Sequence, residues 1–226
     1  MTINGSNKEL KFLDYKYIWN VENTFYLKSD ISRLKKAICQ YEVFKKTLDV
    51  PGVIIECGVF KGSSLIRFLT YRDLLARTKK KVIGFDSFGN FPKQKIKEDA
   101  KFAKLHDKKT GIGISKKKLY YNLKKKKFRN FKLIKGNILK TIPNFLKTNK
   151  KLKISFLNLD MDVYEPTNFA LENLFSKVSK NGIILIDDYK RVKGATIATD
   201  RFLKKIKKNK IEKLKFDNRL SFIIKK

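Results

Sequence analysis

Three carboxylates follow two apolar runs of the sequence, in a pattern that could bind a metal ion. The run Ile154–Leu159 ends at Asp160, and the run Ile183–Ile186 ends at the adjacent pair Asp187 and Asp188. Buried parallel strands are near-continuous apolar runs, and open α/β sheets bind ligands outside the carboxyl ends of their strands. Three carboxylates at one such edge repel one another unless a cation or a bound proton relieves them. The pattern therefore predicts a site for a hard metal ion.

The side chains present in the sequence indicate which metal ion such a site would bind. Mg²⁺ prefers oxygen ligands and takes one or two carboxylates together with water and substrate oxygens. Zinc is disfavoured, because the chain has one histidine and two cysteines that lack a metal-binding spacing. A fourth acid, Asp162, has two open interpretations: it joins the metal site, or it caps a helix that begins near Pro166.

A second constellation runs from Ile54 to Ser64 and reads strand, acid, glycine, turn, glycine, helix. Glycines at such a turn let the backbone approach a ligand, and the following helix N-terminus favours negative charge. Glu56 would repel a pyrophosphate, but it suits a cationic group such as the amino group of S-adenosylmethionine. The alternative is a tight turn with an exposed Glu56.

Two further sites follow the next strands. Asp86, in the sequence GFDSF, ends a strand and could accept hydrogen bonds from both ribose hydroxyls of an adenosine cofactor; alternatively it caps a helix or stabilises a turn. Asn137 and Ile138 follow a third strand and could line an adenine pocket. Neither signal is specific by itself.

The elements that position these residues alternate along the chain. Helices are predicted over 29–48, Ser63–Arg77, Glu165–Val178 and Gly194–Lys208. Strands are predicted over Val53–Cys57, Lys81–Phe85, Phe131–Lys135, Leu152–Leu159, Ile183–Ile186, Ile211–Phe216 and Leu220–Ile224. The last two form a hairpin through Asp217 and Asn218. This alternation predicts an α/β fold with a mostly parallel sheet, helices on both faces and an antiparallel edge.

Two regions flank or interrupt this pattern in a single domain that covers residues 1–226. Residues 1–50 are predicted as an N-terminal helical cap, irregular over 1–28, followed by a helix capped by Ser29 or Asp30. Its inward side is expected to carry Leu34, Ile38, Tyr41 and Leu48. Residues 87–130, called the insertion below, are too long for one crossover helix. They form either a lid over the sheet edge, with a helix over 115–127, or a flexible lysine-rich segment.

Composition bounds the class of protein. The chain has 226 residues, of which 42% are hydrophobic, enough for one α/β domain. It has no apolar stretch of the roughly 20 residues needed to span a membrane, and its N-terminus lacks a signal-peptide pattern. Cys39 and Cys57 fall within predicted elements, which suggests reduced core residues and a cytoplasmic location.

The net charge of +33 is the most extreme property of the composition. It could mark a nucleic-acid-binding surface. However, most of the charge is lysine rather than arginine, and few aromatics interleave the lysines. A lysine-rich composition with a solvated surface is therefore the simpler interpretation. Attraction to a phosphorylated small substrate lies between the two.

Taken in order, four segments resemble the macrocin O-methyltransferase (TylF-like) family over about residues 50–205. They are ECGVFKGSS, GFDSF, LDMDVYEPT and IDDYKRVKGATIATDRF. Members of that family are sugar O-methyltransferases that depend on Mg²⁺ and S-adenosylmethionine. The resemblance implies a class I methyltransferase (Rossmann-like) fold with a seven-stranded sheet. One departure is Met161, where the family often has glycine between the two acids.

The same resemblance assigns residues to the site. The implied metal ligands are Asp160, Asp187 and Asp188, and Asp160 is also the expected catalytic base. The implied cofactor-binding residues are Glu56, Gly58, Phe60, Ser64, Asp86, Ser87, Asn137 and Ile138. His106 is an alternative base, although an exposed loop position is the expectation for it. Tyr164 and Tyr189 either touch the acceptor or pack against helices.

The expected function is Mg²⁺-assisted methylation of a hydroxyl on a small-molecule sugar, and the resemblance implies self-association into a homo-oligomer. One alternative is an RNA or other nucleic-acid methyltransferase, suggested by the charge. Against it, the chain lacks both Asn/Asp-Pro-Pro-Tyr and a nucleophilic-cysteine motif. Another alternative is a catalytically inactive basic binding module. A dinucleotide-dependent oxidoreductase is disfavoured because no GxGxxG follows the first strand.

Overall fold

Seven strands form one sheet in the computed structural model, which describes residues 15–75 and 80–226. They are β1 (Val53–Cys57), β2 (Val82–Asp86), β3 (Phe131–Lys135), β4 (Ile154–Leu159), β5 (Val178–Ile186), β6 (Ile211–Leu214) and β7 (Asp217–Ile224). Their order is β3-β2-β1-β4-β5-β7-β6. The first five strands run parallel, and β7 pairs antiparallel with β5 and β6. This confirms the predicted fold class.

Eight α-helices accompany the sheet in the described ranges. They are α1 (Tyr15–Lys28), α2 (Ile31–Lys45), α3 (Ser63–Leu75), α4 (Lys97–Thr110), α5 (Lys116–Lys125), α6 (Ile138–Thr148), α7 (Tyr164–Leu174) and α8 (Lys193–Lys205). The central strands β1, β2 and β4 are buried almost throughout, as strands covered on both faces are, whereas the edge strand β3 has exposed lysines. One apolar core packs one face of the sheet against α6, α7 and α8, and a second core packs the other face against α2, α3 and α5.

Several boundaries differ from the predicted ones. α7 ends at Leu174 and is followed by a 3₁₀ turn, Phe175–Lys177, so that β5 already begins at Val178. The C-terminal hairpin is present, but its turn lies at residues 215–216, and the predicted turn residue Asp217 starts β7. The helix α6 was not predicted. Its apolar side chains have helical spacing, but Pro143 within it is typical of a helix break.

The chain divides into two compact units, residues 1–35 and 36–226. In the first, α1 is a helix where an irregular segment was predicted, and residues 1–14 lie outside the described residues. The start of α2 agrees with the prediction, because the Asp30 carboxylate accepts a hydrogen bond from the backbone N–H of Ser32 at 2.8 Å.

The inward side predicted for the helix over 29–48 is confirmed for Leu48, which packs against the second core, and is wrong for Ile38. Ile38 is 48% exposed, whereas Cys39, Val43 and Phe44 are buried. The reason is aromatic packing, since the Phe44 ring lies against rings from α3 and β4. The buried stripe of α2 is therefore rotated relative to the one predicted from its large aliphatic residues.

The insertion, residues 87–130, contains α4, which was not predicted, and α5, which was. The Ser115 hydroxyl accepts a hydrogen bond from the N–H of Lys118 and caps α5. Backbone bonds join the link between the helices to neighbouring loops, from Gly113 N–H to the Gly89 carbonyl and from Ile114 N–H to the Phe60 carbonyl. The insertion is thus attached to the loop that follows β1.

Two expectations from composition concern the core and the helices. Cys39 and Cys57 are buried and neither forms a disulfide, as predicted for reduced core residues. Among the helices of the described ranges, none is both long enough and apolar enough to cross a membrane.

Candidate active site

Asp160, Asp187 and Asp188 meet at the carboxyl edge of the sheet. Asp160 follows β4 and Asp187 follows β5, and these neighbouring strands are parallel. The backbone continues the pairing past the strands, since the Asp187 N–H donates to the Leu159 carbonyl at 3.1 Å. One carboxylate oxygen of each of the three acids lies within 4.8 Å of the others. The structure therefore brings the three predicted ligands together.

Burial and neighbouring charge oppose ionisation of Asp162, Asp187 and Asp188. Burial, followed by the Asp160 charge, raises the pKa of Asp187 above its ordinary value. The pKa values of Asp162 and Asp188 are raised by the same two causes. The ionised forms of these carboxyl groups are therefore unfavourable unless a positive charge lies close to them.

Lys36 supplies one positive charge to the cluster. Its ammonium donates hydrogen bonds to Asp187 Oδ2 at 2.7 Å and to Asp160 Oδ2 at 3.1 Å. Burial favours the neutral amine, but the Asp160 and Asp187 carboxylates outweigh that effect and raise the pKa of Lys36 above its ordinary value. Lys36 is a site residue that sequence reasoning missed.

A signal for Lys36 was present in the sequence. It lies three, four and seven residues before Cys39, Gln40 and Val43, which are buried on α2. That spacing puts Lys36 on the buried face of the helix. A lysine on such a face needs an anionic partner. The prediction chose a different face of α2, so the anomaly was not visible.

Lys36 does not satisfy the whole cluster. Asp187 Oδ1 and Asp188 Oδ2 are buried and have no hydrogen-bond partner in the part of the chain that the structure describes. Buried unpartnered carboxylate oxygens are costly, and a divalent ion with oxygen ligands would relieve both. The donor set, three carboxylates with two unused buried oxygens, therefore fits Mg²⁺.

Asp162 does not cap α7. The residue has φ +64°, and no side chain caps α7 at Val163, the residue before its first turn. The N–H of Tyr164, the first residue of the helix, donates instead to the Asp99 carboxylate of α4 at 2.8 Å. The capping interpretation is therefore wrong, and Asp162 belongs to the acidic cluster.

The glycine turn after β1 packs directly against Asp160. The Asp160 N–H donates to the Cys57 carbonyl at 2.9 Å. Gly58 has φ +91°, and a Cβ there would lie 1.8 Å from the Asp160 carbonyl oxygen. Glycine is required at position 58 by both its conformation and this contact.

Asp86 organises the same turn, which was the alternative role predicted for it. Its Oδ2 accepts the backbone N–H groups of Val59 and Phe60 at 2.8 and 2.9 Å, and its Oδ1 accepts the N–H of Phe88 at 2.6 Å. Ser87 donates its hydroxyl to the Asn90 carbonyl at 2.9 Å. Binding of a ribose by Asp86 and Ser87 stays a prediction.

Glu56 is fully buried, so the alternative of an exposed turn residue is wrong. It pairs in register with Asn158, whose side-chain amide donates to Glu56 Oε1 at 3.0 Å. Burial raises the pKa of Glu56 to about 8, and a hydrogen bond with the Ser64 hydroxyl opposes that shift. Contact of Glu56 or Ser64 with a cofactor stays a prediction.

The remaining predicted residues also have structural roles. Asn137 caps α6, because its Oδ1 accepts the N–H of Leu139 at 2.9 Å, and Ile138 is buried. Phe60 has φ +51°, and its ring centroid lies 5.2 Å from that of His106. An adenine pocket at Asn137 and Ile138 stays a prediction.

His106 lies on α4, and not in an exposed loop as expected. Its ring contacts the rings of Phe60, Phe91 and Phe102, with centroid distances of 5.2, 5.4 and 6.0 Å. The imidazole thus belongs to an aromatic cluster that joins α4 to the turn after β1. This packing gives His106 a structural explanation that does not require a role as base.

Both candidate acceptor-binding tyrosines are tied to α8. Arg201 donates to the Tyr164 hydroxyl at 2.8 Å, and the Tyr189 hydroxyl donates to Asp200 at 2.7 Å. These bonds orient two phenol groups that follow the acidic residues in sequence. Whether either touches an acceptor stays a prediction.

Comparisons with known proteins bear on the family and the fold of the chain. The model of a family described as macrocin-O-methyltransferase (TylF) matches residues 27–218. A similar curated protein is the demethyldecarbamoylnovobiocin O-methyltransferase of Streptomyces niveus, 27% identical over 161 residues. The alignment covers 68% of this chain and 59% of that protein, so the chain spans less than two thirds of the length of that relative.

Two solved structures show the same fold. The calicheamicin methyltransferase CalS11 has a TM-score of 0.74 at 22% identity, covering 92% of this chain and 85% of that one. The O-methyltransferase NovP has a TM-score of 0.73 at 22% identity, covering 84% and 79%. Both are methyltransferases, so the sheet described above is of the class I methyltransferase type.

Proposed function

The chain belongs to the macrocin O-methyltransferase (TylF) family, and from that premise we propose that it transfers a methyl group from S-adenosylmethionine to a sugar hydroxyl with the help of Mg²⁺. The observation that carries the proposal is the acidic cluster. Asp160, Asp187 and Asp188 lie within reach of one cation, and Asp160 is packed against the glycine turn after β1. A metal site and a cofactor loop at one sheet edge suit a metal-assisted methyl transfer.

The proposed metal ligands are Asp160, Asp187 and Asp188. The proposed cofactor residues are Glu56, Gly58, Phe60, Ser64, Asp86, Ser87, Asn137 and Ile138. When bound, S-adenosylmethionine supplies an electrophilic methyl group, and Mg²⁺ supplies positive charge that lowers the pKa of an oxygen acid. The proposed ligands would hold the methyl donor and the sugar hydroxyl in the correct relative positions. Positioning of this kind accounts for much of the rate of a transfer between two bound molecules.

Asp160 is the proposed proton acceptor for the sugar hydroxyl. It lies between the turn after β1 and the acid pair after β5, where donor and acceptor would meet. The insertion, 87–130, would cover the acceptor and exclude water, since α4 contacts the start of α7 through Asp99.

The acceptor class rests on the relatives. The curated relative is named for a novobiocin precursor, and CalS11 is described as a TDP-rhamnose 3'-O-methyltransferase. We propose either a nucleotide-activated deoxysugar or a glycoside for this chain. The net charge of +33 favours the phosphorylated, nucleotide-activated form through long-range attraction.

The test is release of S-adenosylhomocysteine from S-adenosylmethionine with a panel of nucleotide-activated deoxysugars and uncharged glycosides. Each acceptor is assayed with Mg²⁺ and with EDTA, and an RNA arm is included because of the basic surface. We expect turnover that requires both a sugar and Mg²⁺. Turnover with RNA alone, or sugar turnover that persists in EDTA, would contradict the acceptor or the metal, respectively.

A further inference from the structure

We propose that the Lys36 ammonium and the divalent metal ion compete for the same carboxylates, so that Lys36 is a tethered cation that must leave before the metal binds. This inference rests on the metal site of the proposed function. The Lys36 Nζ atom lies 2.7 Å from Asp187 Oδ2 and 3.1 Å from Asp160 Oδ2, and both residues are proposed metal ligands.

The two cations exclude one another for reasons of distance and charge. Mg²⁺ binds carboxylate oxygens at about 2.1 Å and demands a near-octahedral arrangement. An ion that bound Asp160 and Asp187 with Lys36 in its present place would lie only a few ångströms from the ammonium. The Lys36 and Asp187 side chains are 18% and 12% exposed, so little water is present to screen that repulsion.

The side chain, and not the helix, is the part that can move. α2 is held firmly beyond Lys36, where Ala37 accepts a hydrogen bond from the Tyr71 hydroxyl and Gln40 accepts one from Arg67, each at 2.8 Å. Val43 is buried in the core beneath the same helix. The lysine stem, in contrast, has four rotatable bonds and can carry the ammonium away from the carboxylates.

The Lys36 ammonium neutralises the three acids only in part, so a divalent ion would interact with them more favourably. A single ammonium contacts two of the three acids and leaves Asp187 Oδ1 and Asp188 Oδ2 without a partner in the described ranges. A dication brings twice the charge and can reach all three acids. The metal-free protein is therefore neutralised in part by Lys36 and more fully by the ion.

The experiment compares Mn²⁺ and Mg²⁺ affinity, measured by calorimetry, for the full-length wild type and Lys36→Met. Methionine keeps a long unbranched side chain and removes the charge. We expect binding at least tenfold tighter in the variant. Lys45→Met is the matched control, because Lys45 lies on the same helix and pairs with exposed Glu42 at 3.2 Å. Its affinity should equal that of the wild type.

A second measurement uses only the wild type, in case Lys36→Met does not fold. Brief labelling with an amine-reactive reagent, read by peptide mass spectrometry, reports the accessibility of Lys36 relative to Lys45. We expect Lys36 to be protected in EDTA and labelled several-fold more in saturating Mg²⁺. Equal labelling in the two conditions would overturn the proposal.

The outcomes separate this inference from the proposed function. Unchanged or weaker metal affinity in Lys36→Met, with Mg²⁺-dependent turnover intact, would overturn the competition alone. Failure of both proteins to bind either ion would overturn the competition and also remove the metal from the proposed function. Methyl transfer itself would then be judged separately by S-adenosylhomocysteine release in EDTA.

Discussion

The carboxylate of Asp99, on α4, accepts a hydrogen bond from the backbone N–H of Tyr164, the first residue of α7, at 2.8 Å. Asp99 is 5% exposed, and a Cβ on Gly194 would lie 2.6 Å from its Oδ1. One acid of the insertion is therefore enclosed by the first turns of α7 and α8. Since both helices follow acidic residues of the cluster, this contact ties the insertion to the candidate active site.

Replacing Asp99 by alanine should loosen the insertion. The N–H of Tyr164 would lose its partner, at a cost of about 1–2 kcal/mol in the free energy of unfolding. Limited trypsin digestion should cut α4 at Lys101 and Lys104 faster than in the wild type, and KM for the acceptor should rise. Glu98→Ala, a change at an exposed neighbour, is the control. Unaltered digestion of α4 would show that Asp99 does not anchor it.

Asp160→Asn should lower turnover by at least 100-fold. Asparagine keeps the shape of the side chain but can neither accept the proton nor carry the charge of a metal ligand. Binding of S-adenosylmethionine, measured by calorimetry, should stay within about threefold, on the order of 0.7 kcal/mol. Asp49→Asn, on the exposed surface, serves as control. Activity near the wild-type level would remove Asp160 from the mechanism.

Asp188→Asn should have opposite effects in the absence and presence of metal. Burial and the Asp160 charge raise the pKa of Asp188, so its ionised form is destabilising in the metal-free protein. Removing the ionisable group should raise the melting temperature in EDTA and abolish most of the increase that Mg²⁺ produces in the wild type. Calorimetric melting curves with and without Mg²⁺ give both values. If Mg²⁺ raises the melting temperature of the variant as much as that of the wild type, Asp188 is not a metal ligand.

Glu56→Gln should flatten the dependence of stability on pH. The folded-state pKa of Glu56 is about 8, above its ordinary value of 4.5, so the folded protein retains a proton that the unfolded chain loses. Stability contributed by this proton is complete below pH 4.5 and is lost as the pH rises towards 8. Between pH 6 and pH 9 the wild type should lose about 3 kcal/mol more than the variant.

Chemical unfolding in EDTA at the two pH values measures this difference. Glutamine retains an acceptor for the Asn158 amide, so the buried hydrogen bond survives the change. The control is Glu42→Gln, since Glu42 pairs with Lys45 at the protein surface. If the wild type and Glu56→Gln lose equal stability between pH 6 and pH 9, then Glu56 is ionised in the folded protein throughout that range.

The central sheet could be predicted from sequence because its signals are local. β1 and β3 have the predicted bounds, since each is a short segment rich in strand-favouring residues and is followed by a glycine. The convergence of Asp160 and Asp187 followed from one rule, that parallel strands end at the same edge. The membership in the TylF family, inferred from four ordered motifs, is confirmed.

The insertion and Lys36 depend on contacts that are distant in sequence. In α4 the buried residues are Asp99 and Ala103, which give no apolar stripe to detect. Lys36 contacts Asp160 and Asp187, which lie 124 and 151 residues away in the sequence. The chain has 54 lysines and arginines, and the residues next to Lys36 do not distinguish it from the others. Its helical position was informative only once the buried face of α2 was known.

The contact of Gly58 with Asp160 has a consequence for how the proposed activity could diversify. The turn after β1 and the residue after β4 touch through main-chain atoms, so the sheet fixes the backbone of Asp160 relative to the turn that is proposed to hold the methyl donor. The insertion, in contrast, meets this frame through side chains such as Asp99. Under the proposed function, substitutions within residues 87–130 would alter acceptor choice and leave this main-chain frame unchanged.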